Sequence, residues 1–287
     1  MTTGPAVGRR TPNAVESVGG PPSKRRRRGG SVWAWLVFVA GFLYFFVPLL
    51  ATFEFSLRAK PAFAAYTGAF ANPHFVSSLV FSFVAGVLTI VVSIVLIVPT
   101  AFWVRLRLPR LRPYVEFVTL LPFVIPPVVL VFGLIRVYSR QPLPLTNSDL
   151  GSNVLLVAGY VVLSLPYMYR AVDTGLRSID VQSLTEAAQS LGASWLTILW
   201  SVIFPNLRVA LLSGAFLTLA IVIGEFTIGN FLARPAFGPF LSQLGNDETY
   251  QPAAVSLISF GLTWAAMGMI AFIGRGTRGR IQMVGAH

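Results

Sequence analysis

The sequence contains no cysteine, only two histidines and few charged residues. Without cysteine the chain forms neither a disulfide framework nor a thiolate metal site, and His74 and His287 lie too far apart in sequence to suggest a shared metal ion. Charged residues make up 11% of the 287 positions, whereas soluble domains carry about 25%. Hydrophobic residues reach 55%. This composition predicts an all-α protein that crosses a membrane several times.

A phosphate-binding loop of the Gly-x-x-x-x-Gly-Lys-Ser/Thr type is also missing, and no nucleophile stands in a pattern that suggests catalysis. Such a chain does not hydrolyse ATP through that loop, so any ATP-driven process requires a separate subunit. We therefore expect no enzymatic activity and no cofactor in this chain.

Six apolar stretches approach or exceed the length of about 20 residues that crosses a bilayer. They are residues 32–55, 75–104, 114–137, 154–169, 207–232 and 252–273. The first stretch follows basic residues, as the apolar region of a signal peptide does, but such regions have only about 7–15 residues. We expect it to be an uncleaved first helix, with cleavage as the alternative.

The distribution of Lys and Arg predicts the orientation, because cytoplasmic loops retain these residues. Six spans place both termini on one side, and 17 of the 22 Lys and Arg residues fall on that side. We therefore expect both termini to be cytoplasmic. The predicted parts are a disordered basic tail (1–30), a first helix with an external loop (31–74), a core of five transmembrane helices (75–274) that includes a polar cytoplasmic segment (173–206), and a second cytoplasmic tail (275–287).

The first tail holds a run of five basic residues, Lys24 to Arg28, directly before the first span. Such a run is attracted to anionic headgroups and keeps its end in the cytoplasm. Membrane lipids are therefore its expected partner, and we expect no nucleic acid. The net charge of +12 leaves a nucleic-acid or regulatory role of the tail as the alternative.

The polar cytoplasmic segment has the pattern of two short helices. Ser183 followed by Glu186 forms a capping box, which predicts a helix that starts near Ser183. Gly192 suits the left-handed conformation that ends a helix, and Ser194 suits the cap of the next one. Pro205 predicts the end of the second helix. We expect a helix, a glycine corner and a second helix.

This segment resembles the cytoplasmic loop of binding-protein-dependent ABC importer permeases. It carries Glu-Ala-Ala, then a glycine after three intervening residues, and a proline that follows apolar residues. The matching positions are Glu186, Ala187, Ala188, Gly192, Ala193, Val202 and Pro205. In that family the loop inserts into a groove of the ATP-hydrolysing subunit, and the resemblance implies this coupling role here. An ordinary helical hairpin is the alternative.

The resemblance also implies a fold and partners. The fold is the six-helix permease fold of type I importers, the MetI-like fold, in the inner membrane of a bacterial cell. The implied partners are ATP-binding subunits that hold the ATP, a second permease subunit, identical or homologous, and an extracytoplasmic substrate-binding protein.

Two spans are interrupted in ways that suggest a translocation path. The third contains Pro126 and Pro127, whose missing backbone donors must be accommodated by neighbouring helices or cavity water, unless they only kink the helix. In the fifth, a carboxylate at membrane depth, Glu225, is costly unless it faces a polar cavity or a partner. We expect Glu225 to face the inside of the bundle and Gly224 to allow close helix approach. A purely structural Glu225 is the alternative.

The substrate is not determined by residue identities. Within the family, the sequence is similar to permeases for polyamines and to those for iron, sulfate, molybdate, thiamine and phosphonates. We favour the spermidine and putrescine type because the tract from Ser183 to Pro205, with the span that follows it, most resembles that group. Glu225 would also oppose a cationic ligand. A secondary transporter or channel is the alternative of another class, for which inverted repeats and several ionisable residues at mid-membrane would be expected.

Overall fold

The computed structural model describes Gly4 and residues 32–275, so the two predicted tails lie outside the described residues apart from Gly4 and Arg275. The chain divides at Pro48 into two units, residues 1–47 and 48–287. The first unit contains the N-terminal part of helix α1 (Val32–Ser56), and the second contains the rest of that helix and all later elements. Regular structure in the described part of the chain is entirely helical, which confirms the predicted all-α fold.

The described residues form twelve numbered helices when residues 195–206 are counted as one, and two short 3-10 helices, Pro109–Leu111 and Leu145–Asn147. After α1 they are α2 (Ala64–Ala71), α3 (Pro73–Leu106), α4 (Arg112–Val124), α5 (Pro127–Tyr138), α6 (Asp149–Arg177), α7 (Val181–Ser190), α8 (Trp195–Asn206), α9 (Arg208–Gly224), α10 (Thr227–Phe231), α11 (Phe237–Asp247) and α12 (Gln251–Arg275). The middle of α8 is a π-helix at Ile198–Ile203.

Helices α3, α6 and α9 pack against one another and form the core. Glycines allow the close approach: a Cβ atom added at Gly86 of α3 would lie 2.7 Å from Leu219 Cδ1. A Cβ atom added at Gly214 of α9 would lie 2.7 Å from Met168 Sδ. Helices in lipid associate through packing and hydrogen bonds, since lipid tails are as apolar as leucine, so these close contacts hold the core together.

The length and composition of the helices fit a multi-pass membrane protein. Three helices, α1, α3 and α6, are long and apolar enough to cross a membrane, and the number rises to five if each of two bent pairs forms one span. The bends are 101° between the helical stretch Pro109–Val124 and α5, and 76° between α8 and α9. Helix α12, with 25 residues, lies where the sixth span is predicted. The count of six stays a prediction.

Two predicted spans are broken in the structure. The predicted third span, 114–137, divides into α4 and α5 because two consecutive prolines, Pro126 and Pro127, offer no backbone donors at that point. In the predicted fifth span, 207–232, helix α9 ends at Gly224 and α10 begins at Thr227. Apolar residues continue across both breaks, so the hydrophobic pattern did not reveal them.

The fourth span is longer than predicted, since 154–169 becomes the 29-residue helix α6. Ser148 caps this helix: its Oγ accepts a hydrogen bond from Gly151 N at 3.1 Å. Pro166 lies inside α6 and does not end it. Transmembrane helices tolerate such prolines because neighbouring groups satisfy the freed backbone atoms. The sequence pattern also missed α2 and α11, which lie between the predicted spans.

Candidate functional site

The polar segment 173–206 forms two helices joined by a corner, as predicted, but the first helix begins earlier. Helix α7 starts at Val181, and Asp180 is its cap. The Asp180 carboxylate accepts hydrogen bonds from Ser183 Oγ at 2.7 Å and Ser183 N at 3.1 Å. Both bonds lower the pKa of Asp180, the hydroxyl contributing most. The capping box predicted at Ser183 is wrong because a carboxylate one turn earlier is the stronger acceptor.

The corner between α7 and α8 depends on one backbone conformation. Gly192 has φ 79°, in the left-handed region, and a Cβ atom added there would meet nothing within 4 Å. Glycine is therefore required by the backbone angle rather than by space. The Ala193 N–H donates to the Ala188 carbonyl at 3.0 Å, and Ser194 caps α8 by accepting from Thr197 N at 3.3 Å. The predicted glycine corner and second cap are confirmed.

Helix α8 ends within one residue of the predicted position. Pro205 lies in its last turn, and the helix stops at Asn206 before the chain bends by 76° into α9. The polar segment is thus joined to the membrane helix α9 with only Leu207 between them, and Leu207 is fully buried.

An aromatic contact fixes the start of α8 against the end of α3. The Trp195 and Trp103 ring centroids are 5.0 Å apart. The guanidinium carbon of Arg107 lies 5.1 Å from the Trp195 ring centroid, within the range of a cation–π contact. In the sequence alone Trp195 is only one apolar position of a helix, because the partners that give it this role lie about 90 residues earlier.

The residues predicted to couple to an ATPase divide into two groups. Ala188, Ala193 and Val202 pack against the buried core of the predicted cytoplasmic end. Glu186 and Ala187 are exposed, and within the described residues the Glu186 carboxylate accepts only from Gln182 Nε2, at 2.9 Å, on the same helix. The first group positions the segment, and the second is free to contact another protein.

Large apolar side chains stand beside this exposed group. Leu191 is 89% exposed, Leu196 70% and Trp200 55%, all within the polar segment. We call Ala187, Leu191, Leu196 and Trp200 the exposed apolar set. Single exposed apolar residues are common, but several within 14 positions of a segment that is predicted to lie in the cytoplasm are typical of a protein contact.

A network of ion pairs ties the polar segment to two other helices. The Asp173 carboxylate lies 2.6 Å from Arg177 Nη2, 3.3 Å from Arg112 Nη2 and 3.8 Å from Arg105 Nη1. Glu116 accepts from Arg112 Nε at 2.9 Å and lies 3.6 Å from Arg177. Sequence reasoning assigned no role to Asp173, because its arginine partners come from α3 and α4 as well as from α6.

Glu225 lies at the break after α9 and is buried, with 8% of its surface exposed. Its carboxylate accepts hydrogen bonds from Ile228 N at 2.9 and 3.0 Å and from Gly229 N at 3.3 Å. Among the described residues no Lys or Arg lies within 4.0 Å of it. The side chain therefore satisfies backbone donors at the start of α10, as a helix cap does, and this geometry favours the structural alternative.

Gly224 does not have the role that the sequence predicts for it. Gly224 is exposed and a Cβ atom there would meet nothing within 4 Å, so it provides no close helix approach. The close approach is instead at Gly238 of α11, where a Cβ atom would lie 2.3 Å from the Glu225 carbonyl oxygen. Tyr160 is fully buried near the Glu225 carboxylate, and its hydroxyl has no hydrogen-bond partner in the described part of the chain.

The helices that follow the two breaks in the spans contact each other. Pro126 caps α5, with its carbonyl accepting from Val129 N at 2.9 Å, and Pro127 is the first residue of that helix. Helices α5 and α10, which follow the two breaks, contact each other, with the Phe132 and Phe231 ring centroids 4.9 Å apart. The prolines thus begin a helix rather than kink one, and that helix packs against the helix that follows Glu225.

Comparison with known proteins identifies a family. The sequence profile of the family described as "binding-protein-dependent transport system inner membrane component" matches residues 93–278. The matched range includes α6, the polar segment, and the break at Glu225.

Similar individual proteins carry permease names. A ferric transport system permease protein FbpB of Actinobacillus pleuropneumoniae is 29% identical over 49% of this chain and 19% of its own length. A probable molybdenum ABC transporter permease of Haloferax volcanii is 34% identical over 50% of this chain and 54% of its own length. A probable sulfate transport system permease of Chlorokybus atmophyticus is 28% identical over 71% of this chain and 75% of its own length. The match to the first two thus spans about a fifth and about half of those relatives.

Proposed function

Because the chain belongs to the family of binding-protein-dependent transport system inner membrane components, we propose that it is the membrane-spanning permease subunit of an ATP-driven importer. In this function it forms part of the substrate path and couples that path to ATP hydrolysis on a separate subunit. The ATP-binding subunits hold the ATP, and the permease itself is not an enzyme.

The observation that carries the proposal is the two-sided polar segment. Its inner residues, Ala188, Ala193 and Val202, pack on the membrane bundle. Its outer residues, with Glu186 and the exposed apolar set, lie free on the other side. A coupling element needs both: a surface for the ATPase and a firm attachment to the helices that move. Gly192 and Pro205 shape the segment at its corner and at its junction with α9.

The remaining partners and the orientation are part of the same proposal. The permease works with a second permease subunit, identical or homologous, and with an extracytoplasmic binding protein that delivers the substrate. It lies in the inner membrane of a bacterial cell with both termini in the cytoplasm, where the lysine and arginine count places them. The basic tail contacts membrane lipids and not nucleic acid.

For the substrate we propose an oxyanion, sulfate or molybdenum in its oxyanion form. The polyamine prediction depended in part on Glu225 opposing a cation, and in the structure the Glu225 carboxylate already accepts hydrogen bonds from two backbone N–H groups. Relatives named for sulfate and molybdenum transport align over 71% and 50% of this chain, which supports the oxyanion. Iron is the next choice, because a ferric permease aligns over 49%.

Two adjacent alanines provide a matched test of coupling. The chain has no cysteine, so Ala187→Cys and Ala188→Cys each introduce a single reactive thiol. With the ATP-binding subunit carrying a cysteine in its docking groove, we expect a cross-link to position 187, which is exposed, and none to position 188, which packs inward. Cross-linking that is absent at 187 or equal at the two positions would contradict docking through this face.

The substrate is tested separately on the exported binding protein. Titration calorimetry with sulfate, molybdate, ferric ion, spermidine and putrescine should show binding of an oxyanion alone. Tight binding of a polyamine would restore the sequence-based prediction. Uptake by the reconstituted permease without any ATPase subunit would instead favour the secondary-transporter alternative.

A further inference from the structure

A cavity of about 360 Å³ lies between α4 and α6 at the predicted cytoplasmic end. Its lining is mostly polar and charged. The residues are Glu116, Thr119, Leu120, Tyr169, Arg170, Asp173, Thr174 and Arg177. The coupling proposal uses the ion pairs at its edge but gives the cavity itself no role.

The two carboxylates at this cavity are already paired. Asp173 is held by Arg105, Arg112 and Arg177 at 2.6 to 3.8 Å, and Glu116 by Arg112 at 2.9 Å and Arg177 at 3.6 Å. Three guanidinium groups therefore surround two carboxylates. Neither carboxylate is available to neutralise a further arginine without giving up one of these contacts.

Arg170 is that further arginine. It is exposed and lines the cavity, and among the described residues no carboxylate lies within 4.0 Å of it. Asp173 follows three residues later, but its oxygens are held by the other arginines. Arg170 also lines a neighbouring cavity of about 650 Å³, together with Thr174. Arg170 thus lines two open spaces, and the cluster carries four positive charges against two negative ones.

We propose that this cavity binds a tetrahedral oxyanion through Arg170. A guanidinium matches the oxygens of such an anion with two parallel hydrogen bonds, and the Thr174 and Tyr169 hydroxyls in the lining supply further donors. The anion is either free in the cytoplasm or the phosphate of a lipid headgroup, since both present the same oxygens. The inference goes beyond the import function and does not depend on it.

The free anion is tested on the full-length chain purified in detergent. The thermal unfolding midpoint is measured in sodium sulfate and in sodium chloride at equal ionic strength. Sulfate should raise the wild-type midpoint by about 2–4 °C, the shift that binding at a few times Kd produces in a protein of this size. Arg170→Gln should abolish this shift and Arg170→Lys should keep part of it. Arg140→Gln, which removes an exposed arginine at the other end of the bundle, should leave it unchanged.

The lipid source is tested on the same variants in nanodiscs of phosphatidylcholine containing about one third phosphatidylglycerol. Native mass spectrometry then counts the phosphatidylglycerol retained by the protein. Wild type and Arg140→Gln should retain one more molecule than Arg170→Gln if the occupant is a headgroup. Thr174→Val, which keeps the shape of the side chain, serves as a second variant if Arg170→Gln does not fold.

Each combination of results decides the question. A sulfate shift that depends on Arg170 without lipid retention identifies a free oxyanion, and the reverse result identifies a headgroup. Both together identify a site open to either. If Arg170→Gln and Arg140→Gln behave alike in both measurements, the inference is overturned, whatever the transport assays give.

Discussion

Substitutions at Glu225 distinguish a carboxylate that holds the protein together from one that meets the transported ligand. In the structure this side chain accepts from the N–H groups of Ile228 and Gly229 in a buried position. Glu225→Ala removes both acceptors, and each buried donor left unsatisfied costs about 1–3 kcal/mol, so we expect a loss of about 2–6 kcal/mol. Glu225→Gln keeps one acceptor oxygen and loses the charge, which should cost only about 1–2 kcal/mol.

The assay compares the amount of assembled complex with the rate of uptake in proteoliposomes. Glu225→Ala should reduce the folded, assembled complex severely. Glu225→Gln should assemble and retain most of its uptake, with the same fractional loss for every substrate that the system accepts. Glu54→Ala is the matched control, because Glu54 forms an ion pair with Arg58 in which both side chains are more than half exposed, and such pairs contribute little.

One result with Glu225→Gln would refute the capping explanation. If Glu225→Gln assembles normally but loses uptake, the charge itself acts in transport and the capping explanation fails. If that loss were also larger for a polycation than for an anion, the cationic substrate would regain its residue-level support, because only a cation gains from an opposing carboxylate.

Three further predictions follow from the polar segment and the topology. Gly192→Val should abolish binding-protein-stimulated ATP hydrolysis, whereas Gly192→Asn should keep most of it. The left-handed φ of 79° costs a β-branched residue far more free energy than it costs asparagine. Equal effects of the two substitutions would contradict the proposed role of the glycine corner. Asp173→Asn should lower the free energy of unfolding, measured with denaturant, by about 1–3 kcal/mol, because three arginines lose their shared partner. Glu54→Gln should change it by less than about 0.5 kcal/mol. A cysteine at Leu191 should react with an impermeant maleimide only from the cytoplasm and one at Asn147 only from outside, and reversed labelling would overturn the predicted orientation.

The parts of the fold that sequence predicted well depend on local chemistry. The long apolar runs identified the helices α1, α3 and α6, because the length that a bilayer requires leaves few alternatives. Gly192 and Ser194 were assigned correctly, since a left-handed corner and a helix cap are set by one or two residues. The predicted cap of α7, Ser183, lies only three positions after the cap in the structure, Asp180.

The parts that sequence missed depend on partners that are distant in the chain. The break at Glu225 is an exception, because the N–H groups that its carboxylate accepts from lie only three and four residues later, but it leaves no mark in the hydrophobic pattern. Asp173 accepts a hydrogen bond from Arg112, which lies 61 residues earlier in the chain. Arg234 Nη1 donates to Asp149 Oδ1 at 2.7 Å, across a separation of 85 residues. A single sequence gives the presence of these charges but not their pairing. Such pairs therefore have to be found in three dimensions.

The same geometry connects the proposed coupling site to the break in the membrane. Helix α8, which carries the exposed Trp200, is followed after one buried residue by α9, and α9 ends at the residue before Glu225. An α-helix of 17 residues is about 25 Å long. Because α9 packs closely on α3 and α6 through Gly214 and Gly86, it is held along its length and moves with them rather than bending freely. A displacement of α8 by an ATPase would therefore act on one stiff element that has the docking surface at one end and the Glu225 cap at the other.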